Sequence, residues 1–371
     1  MNAPRLLVDL DKIYHNARTL VERLAKRDIL VTGVTKATLG SPEIAKALLL
    51  AGVNDLGDSR IENIETMRRA NIPVTMSLIR SPMLSQIEQI VNHADISFNT
   101  EIAVIRQLSI AAQMAGRQHG VVLMIELGDL REGIMPGDLA HIVGETLSSP
   151  NIALKGIGTN LACRYGVSPD AANMEQLSML ADAIEDDFDL KLEIISGGNS
   201  ANLQWLLGDV EKGRINNLRL GESILLGREP VHRNAIDGLY TDAFTLSAEV
   251  IESKIKPSRP SGNVGQTAFG YAPLLTTDRD FITQEILAVG QQDIDPNSLI
   301  PPCGVEIQGA SSDHLILESI DHGHPIGTEL DFQLNYSSLM RAMTSPFVTK
   351  IFKESSVSLT CSSLADQWRF R

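Results

Sequence analysis

Short apolar runs with strand character alternate with amphipathic helical segments between Leu30 and Leu220. Such alternation predicts a parallel sheet, because each helix returns the chain to the edge where the next strand starts. Eight strands over about 200 residues predict a (β/α)8 barrel, and an open doubly wound sheet is the alternative. The predicted strands are residues 30–35, 55–57, 74–79, 94–98, 121–127, 154–159, 192–196 and 218–220.

The character of the sequence changes after about Arg228. Proline, glycine, aspartate and threonine become frequent, and short runs alternate between apolar and polar residues, which is typical of strands with one solvated face. We therefore predict an α/β chain of two domains, with the barrel over residues 1–235 and a mainly β domain over residues 236–371. The strand candidates of the second domain are residues 245–254, 281–288, 314–318 and 329–334.

Composition and charge limit the functions that this chain can serve. The net charge of −14 opposes binding to nucleic acid or to an anionic membrane. No apolar run approaches the roughly 20 residues of a membrane span, and the first residues lead into a strand rather than a signal peptide. The cysteines Cys163, Cys303 and Cys361 are too widely spaced to indicate a disulfide framework or a metal site. These features predict a cytoplasmic protein without a metal.

Lys36 directly follows the first apolar run, where strand 30–35 ends. In a (β/α)8 barrel the carboxyl ends of the strands form the mouth in which chemistry takes place. A lysine there is partly removed from water, which favours the neutral amine, and a neutral amine forms imines with aldehydes such as pyridoxal phosphate. The alternative is that Lys36 only pairs with a carboxylate or covers the end of the strand.

Further polar residues follow the other predicted strands. Taken singly, each fits a helix cap or a turn, but together they place many polar groups around one lysine. The segment from Ser196 to Ser200, read Ser-Gly-Gly-Asn-Ser, precedes a short helix and predicts a phosphate cradle of backbone amides. Gly221 and Glu222, after the eighth strand, can extend it, although each glycine also fits a tight turn. The other residues are Asp58, Arg80, Asn99, Asp129, Arg131, Asn160 and Arg219.

Several of these segments resemble motifs of the fold-type III pyridoxal phosphate enzymes, the alanine racemase superfamily. The similarity spans nearly the whole chain, and it is closer to the ornithine/alanine racemase-like branch than to the alanine racemases themselves. The motifs are Val34-Thr-Lys36-Ala, Asp129-Leu-Arg-Glu-Gly133, Gly158-Thr-Asn-Leu-Ala-Cys163, Ser196-Gly-Gly-Asn-Ser200, Leu218-Arg-Leu-Gly-Glu222 and Gly309-Ala-Ser-Ser-Asp-His314.

The resemblance implies that pyridoxal 5'-phosphate is the cofactor and that Lys36 carries it as an imine. Arg131 would contact a cofactor oxygen and the substrate carboxylate. Arg219 would face the pyridine nitrogen, which a donor-only guanidinium keeps unprotonated. The other residues that the resemblance places at the cofactor are Asn160, in place of a family histidine, Ser196, Asn199, Ser200, Gly221, Glu222 and Tyr336.

The activity that the resemblance implies is racemisation of a free amino acid. Two bases would exchange the proton at Cα through an external aldimine, with Lys36 on one face and Tyr271 on the other. Tyr271 stands in a segment similar to the Gly-Tyr-Ala motif of alanine racemases. The family completes each site with residues of the partner's β domain, so a homodimer is expected. Ser312, Asp313 and His314 would contact the substrate.

Two features of alanine racemases are missing from this sequence. The tyrosine after the cofactor lysine is absent, and Met124 lies where a lysine supports the carboxylate-binding arginine. These differences argue against alanine and favour ornithine, lysine or another larger amino acid, whose cationic end could meet Asp58, Asp129 or Asp313. The alternatives are a fold-type III lyase or aldolase, and a non-catalytic protein that binds or carries the cofactor.

Overall fold

A computed structural model describes residues 3–208, 210–270, 279–320 and 322–353 of the chain. They form two compact units. The barrel unit comprises Leu10–Thr241, and the β unit combines residues 3–9 with residues 242–353. The sequence prediction divided the chain after residue 235 and gave the whole amino terminus to the barrel. The structure instead places residues 3–9 in the β unit, because they pair with two of its strands.

The first two elements belong to different units. Strand β1 (Arg5–Asp9) lies in the β unit, and helix α1 (Leu10–Ala25) follows at once and opens the barrel unit. The apolar residues of α1 recur every three or four positions and bury one face. Asn16 of α1 donates to the carbonyls of Ile224 and Tyr240 at 2.9 and 2.8 Å, which ties the start of the barrel unit to its end.

Eight parallel strands close into a barrel in the order of the sequence. The last strand pairs with the first, through Leu30 with Asn217 and Gly33 with Leu220. The predicted (β/α)8 barrel is therefore confirmed, and the open-sheet alternative is excluded. The strands are β2 (Leu30–Val34), β3 (Asp55–Asp58), β4 (Met76–Leu78), β5 (Ile96–Asn99), β6 (His119–Ile125), β7 (Ile152–Thr159), β8 (Ile194–Ser196) and β9 (Asn217–Leu220).

Helices connect successive strands on the outside of the barrel. Ser41 caps α2 by accepting the Ile44 N–H at 3.4 Å, and Pro42 occupies the first turn. None of the helices in the described ranges is long and apolar enough to cross a membrane. The helices are α2 (Pro42–Leu50), α3 (Ile61–Arg69), α4 (Ile87–His93), α5 (Ile102–Met114), α6 (Leu139–Leu147), α7 (Ala171–Phe188), α8 (Asn202–Leu206) and α9 (Glu222–Leu226).

The β unit is a mainly antiparallel sheet, in which β1 alone pairs in parallel, with β16. The four predicted strands are confirmed, but the sequence analysis missed β12, β13, β16 and the amphipathic helix α10 (Tyr336–Thr344). A register shift between Ile307 and Gly309 interrupts the alternation of β13. The strands are β10 (Phe244–Pro257), β11 (Phe281–Leu287), β12 (Leu299–Ile300), β13 (Val305–Ala310), β14 (Leu315–Ser319), β15 (Glu329–Leu334) and β16 (Thr349–Lys353).

The two sides of the barrel interior differ in polarity. Ile79, Phe98 and Met124 belong to an apolar cluster around β5 and β6. The Arg219 guanidinium reaches across from β9 and lies 5.1 Å from the centre of the Phe98 ring. Because side chains alternate along a strand, Asn217 faces the interior with Arg219. The polar side, formed by β2, β3, β8 and β9, consists of Thr32, Asp55, Ser196, Asn217 and Arg219.

Burial of the Asp55 carboxyl on this polar side disfavours its ionised form and so lowers the stability of the fold at neutral pH. Burial raises its pKa from 3.8 to about 6, although the Thr32 hydroxyl lowers it. The unfolded carboxyl ionises near pH 4 and the folded one near pH 6, so the folded state loses stability as the pH rises through this window. We expect Asp55→Asn to stabilise the fold by up to about 3 kcal/mol at pH 7.5 and hardly at pH 4.

Thermal unfolding of the parent and the variant between pH 4 and pH 8 measures this difference. Effects of other titrating groups cancel in the comparison. A melting-temperature difference that stays constant over this pH range would contradict the assignment of the penalty to Asp55.

Candidate active site

Lys36 lies at the mouth of the barrel, immediately after β2, in a turn of 3-10 helix (Lys36–Thr38). The turn ends at Gly40, which has φ +63° and where a Cβ atom would lie 2.7 Å from the Asn63 carbonyl oxygen. The Lys36 side chain is open to solvent, yet the surrounding protein removes much of the hydration of its amine, and this burial lowers its pKa. The amine is therefore more nucleophilic at neutral pH than that of an ordinary lysine.

Neighbouring side chains at the mouth also shift the pKa of the Lys36 amine. After burial, Cys163 has the largest influence and raises the Lys36 pKa, whereas Arg131 and Arg219 lower it and Asp58 raises it. The structure thus brings Lys36, Arg131 and Arg219 into one electrostatic environment.

Arg219 forms the floor of this site. It is 4% exposed and donates to Ser196 Oγ at 2.5 Å, to the Thr159 carbonyl at 2.9 Å and to Asn160 Oδ1 at 3.3 Å. Burial, followed by the charge of Arg131, lowers its pKa to about 10. The guanidinium therefore stays charged at neutral pH and presents only donors.

Asn160 and Asn199 connect the loops that follow β7 and β8. Asn199 Nδ2 donates to Asn160 Oδ1 at 3.1 Å and to the Leu161 carbonyl at 2.9 Å. Asn160 Nδ2 in turn donates to Cys163 Sγ at 3.0 Å. The asparagine at the position of the family histidine is thus part of a network that also reaches Arg219.

The predicted phosphate cradle consists of two neighbouring loops, one before α8 and one before α9. Ser200 and Ser223 join them through their hydroxyl oxygens, 2.9 Å apart, and Ser200 Oγ accepts the Ser223 N–H at 3.2 Å. Gly198 has φ +137°, and a Cβ atom there would lie 2.3 Å from Asn202 Oδ1. That buried oxygen has no partner among the described residues.

These loops fit a phosphate group. Gly198 and Gly221 have no side chain that would cover the backbone amides, and a Cβ atom at Gly221 would lie 3.2 Å from the Val34 side chain. Glu222, which starts α9, forms an ion pair with Arg233. Burial raises the Glu222 pKa, and Arg233 and then Lys36 lower it. The cradle therefore lies beside the lysine, so a phosphorylated aldehyde is a ligand of suitable chemistry.

Asp129 ties together the two loops that carry Arg131 and Cys163. Its buried carboxylate accepts the backbone N–H groups of Cys163, Arg164, Tyr165 and Val167 at 2.9 to 3.4 Å. Burial raises the Asp129 pKa, but these four hydrogen bonds together hold it below its usual value. Asp129 thus fixes the loops rather than offering its charge to a ligand.

We expect Asp129→Asn to destabilise the protein by about 1 to 3 kcal/mol, because an amide donor would face backbone donors. The depressed pKa places the contribution of Asp129 above pH 4, and it is lost as the pH falls through the folded-state pKa. Urea unfolding at pH 7 measures the effect. Asp186→Asn, on the exposed side of α7, is the control, and equal midpoints for the two variants would contradict this role.

Other predicted residues have contacts of their own. Asp58 accepts hydrogen bonds from Thr35 Oγ1 at 2.7 Å, the Arg60 N–H at 2.9 Å and Asn63 Nδ2 at 3.0 Å, so it is committed to the fold like Asp129. Asn99 is buried and donates to the carbonyl of Ser97 on its own strand at 2.8 Å.

The remaining candidates belong to the β unit. Ser312, Asp313 and His314 stand between β13 and β14, and His314 Nδ1 lies 3.0 Å from the Asp313 carboxylate. Tyr336 begins α10. Tyr271 lies outside the described residues. Within the described ranges, no group of three or more His, Cys, Asp or Glu side chains is placed to hold a metal ion.

The structure also adds residues that the sequence analysis did not single out. Asn217 accepts the Ser196 hydroxyl at 2.7 Å, and Ser223 completes the cradle. The two-residue period of β9 contained a signal for Asn217, because it stands two positions before Arg219. The Ser223 contact joins two distant loops, so local sequence carried no signal for it.

Fold and candidate site together define a class: a (β/α)8 barrel with a lysine of lowered pKa at its mouth and a separate β unit. Residues 8–229 match the family model described as alanine racemase, N-terminal domain. The chain also resembles an alanine racemase crystal structure from D-cycloserine-producing Streptomyces lavendulae, with a TM-score of 0.74 and 16% identity, over 96% of this chain and 98% of the other. At this identity the likeness concerns the fold.

Two curated relatives are much closer in sequence. The chain is 39% identical to the lysine racemase of Thermotoga maritima over 355 residues, which cover 95% of this chain and 99% of the relative. It is 38% identical to the ornithine racemase of Acetoanaerobium sticklandii over 353 residues, which cover 94% and 99%. The chain therefore belongs to the alanine racemase family defined by that N-terminal domain, and it is an amino-acid racemase.

Proposed function

We propose that the chain racemises a free amino acid with a side chain larger than that of alanine, lysine or ornithine first, with pyridoxal 5'-phosphate as cofactor. The observation that carries the proposal is the desolvated Lys36 amine beside Arg219 and the phosphate cradle. The similarity to a lysine racemase and an ornithine racemase over almost their whole length supports the choice of substrate.

Each candidate residue of the barrel unit would have a separate role in binding or proton transfer. Lys36 would bind the cofactor aldehyde and exchange the proton at the substrate Cα on one face. When bound, the cofactor withdraws electrons from Cα and acidifies its C–H bond. Arg219 would donate to the ring nitrogen, Asn160 would support Arg219, and Arg131 would orient the substrate carboxylate. The amides near Gly198, Asn199, Ser200 and Gly221 would hold the phosphate.

We propose Tyr271 as the proton-transfer group for the other face of Cα. The proposal rests on the Gly-Tyr-Ala-like segment of the sequence. Together with Ser312, Asp313, His314 and Tyr336, it would come from the β domain of the partner in a cytoplasmic homodimer. The described cysteines, Cys163 and Cys303, are unpaired, as suits a reducing compartment.

Asp313 is our candidate for binding a cationic substrate side chain. Asp58 and Asp129 are engaged by three or more donors each, whereas the Asp313 side chain is 69% exposed. Its hydrogen-bond partners are the neighbouring Ser311 and His314, so this exposed carboxylate can still attract the terminal ammonium of lysine or ornithine.

The test uses the purified protein with added pyridoxal 5'-phosphate in deuterated water. L-lysine, L-ornithine and L-alanine are compared with L-norleucine, which has the length of ornithine without the charge. Exchange at Cα by NMR and the appearance of both enantiomers by chiral chromatography are expected for lysine or ornithine and much less for norleucine. Binding of the cofactor without exchange would indicate a carrier, and cleavage products would indicate a lyase.

Shared active sites in a dimer are tested by mixing two inactive variants. Lys36→Ala and Tyr271→Phe chains, unfolded and refolded together, would regain activity that neither has alone, because a mixed dimer contains one intact site. Light scattering gives the mass of each preparation. A mixture that stays inactive although mixed dimers form would contradict the shared site.

A further inference from the structure

A chain of hydrogen bonds links Arg219 to the polar side of the barrel interior. Arg219 Nη1 donates to Ser196 Oγ at 2.5 Å, and Ser196 Oγ donates to Asn217 Oδ1 at 2.7 Å. Asn217 Nδ2 then donates to Thr32 Oγ1 at 2.9 Å. All four residues are at most 6% exposed. We call this set, Thr32, Asn217, Ser196 and Arg219, the relay.

The direction of every bond in the relay follows from Arg219. A guanidinium only donates, so the Ser196 oxygen must accept and its proton must point onward. The amide of Asn217 is then oriented with its oxygen toward Ser196 and its nitrogen toward Thr32. The Thr32 oxygen accepts from Asn217, which leaves its proton free for a further acceptor.

That acceptor is the carboxyl group of Asp55. Thr32 and Asp55 are paired residues of β2 and β3, and the Thr32 hydroxyl lowers the Asp55 pKa. With a pKa of about 6, Asp55 is mainly ionised at neutral pH. Asp55 Oδ1 is buried and has no hydrogen-bond partner among the described residues. The relay thus runs from a buried cation to a partly buried carboxyl group, with all donors pointing the same way.

Direct partners do not balance the Arg219 charge. Its hydrogen-bond acceptors are a hydroxyl, a carbonyl and an amide oxygen, and in the described part of the chain no carboxylate lies within ion-pair distance. The Phe98 ring lies beside the guanidinium, and among the more distant charges Glu132 favours the Arg219 cation whereas Arg131 opposes it. A buried cation without a paired charge is costly, and aligned hydrogen bonds polarise one another in a low-dielectric interior.

We propose that Asp55 is the remote counter-charge of Arg219, and that Thr32, Asn217 and Ser196 are positioning residues that transmit it and fix the guanidinium. The geometric part of this inference stands on the barrel interior alone. Its catalytic part rests on the proposed function.

Matched variants separate the relay from simple packing. Thr32→Val keeps the shape of the side chain but breaks the link, whereas Thr32→Ser keeps the hydroxyl. Asp55→Asn keeps an oxygen acceptor and removes the charge, and it is expected to fold at least as stably as the parent. Thr32→Val and Asp55→Asn should therefore behave alike, and Thr32→Ser should behave like the parent.

The first readout needs neither cofactor nor activity. Arg219 guanidinium protons are observed by NMR in the full chain labelled with nitrogen-15 arginine and are assigned by their loss in Arg219→Lys. Their exchange with solvent should accelerate in Thr32→Val and Asp55→Asn but not in Thr32→Ser. Unchanged exchange in all three variants overturns the proposal, even if the parent racemises lysine.

The second readout uses the holoenzyme. In Thr32→Val and Asp55→Asn, kcat should fall about tenfold, the scale on which second-layer partners act elsewhere, with little change in KM. The absorbance band of the bound cofactor should shift in these two variants, and the double variant should be no worse than either single one. Additive losses would overturn the relay. A parent without racemase activity would contradict the proposed function, and the exchange measurement would still decide the relay.

Discussion

Lys36→Ala is expected to lower racemisation by about 10³-fold or more, because it removes both the covalent anchor of the cofactor and one proton-transfer group. The protein should still fold, since the side chain points into an open mouth and supports no buried contact network. Chiral chromatography measures the loss of activity, and the absorbance spectrum measures the loss of covalently bound cofactor.

Two controls make this result specific. Lys36→Arg keeps a positive charge but cannot form a stable imine, so it should be as inactive as Lys36→Ala. Lys46→Ala, in α2, tests the removal of a lysine that is not at the mouth. Borohydride reduction of the parent followed by peptide mass spectrometry should locate the cofactor on Lys36. Labelling of another lysine, with activity preserved in Lys36→Ala, would refute the assignment.

The pH dependence of cofactor uptake follows from the same residue. Only the neutral amine attacks an aldehyde, and the pKa of Lys36 is lowered by burial and by the two arginines. Uptake by the cofactor-free protein should therefore rise with pH and reach its plateau at a lower pH than an ordinary lysine would allow.

Arg219→Gln is expected to lower kcat/KM by about 10²-fold, the scale of losing a preorganised buried donor. The change also leaves Ser196 and the Thr159 carbonyl without their charged donor, so some loss of stability is expected. Because the Arg219 charge lowers the Lys36 pKa, its removal should move the rise of cofactor uptake to higher pH.

Arg106→Gln is the matched control for this variant. Arg106 lies on α5 and pairs with Glu145 on the surface, so its loss should change neither the uptake profile nor kcat/KM. An uptake profile that stays in place in Arg219→Gln would show that the two charges at the mouth are not coupled.

The sequence alone was sufficient to predict the barrel. Its alternation of apolar runs and amphipathic helices has a local cause, because a parallel strand buried on both faces is apolar throughout and its helix is apolar on one face. The same alternation placed four polar residues near strand ends: Lys36, Arg131, Asn160 and Arg219. The resemblance of their motifs to a known family then indicated the cofactor and the role of each residue.

The tertiary structure decided what depends on contacts between distant strands. The sequence prediction assigned β1 to the barrel, but its pairing with β10 and β16 places it in the β unit. The sequence prediction assigned Ser196 to the phosphate cradle. Its hydroxyl instead accepts a hydrogen bond from Arg219 and donates one to Asn217. Which polar side chains share the barrel interior depends on closure and stagger, which local periodicity does not encode. The relay to Asp55 therefore became visible only in three dimensions.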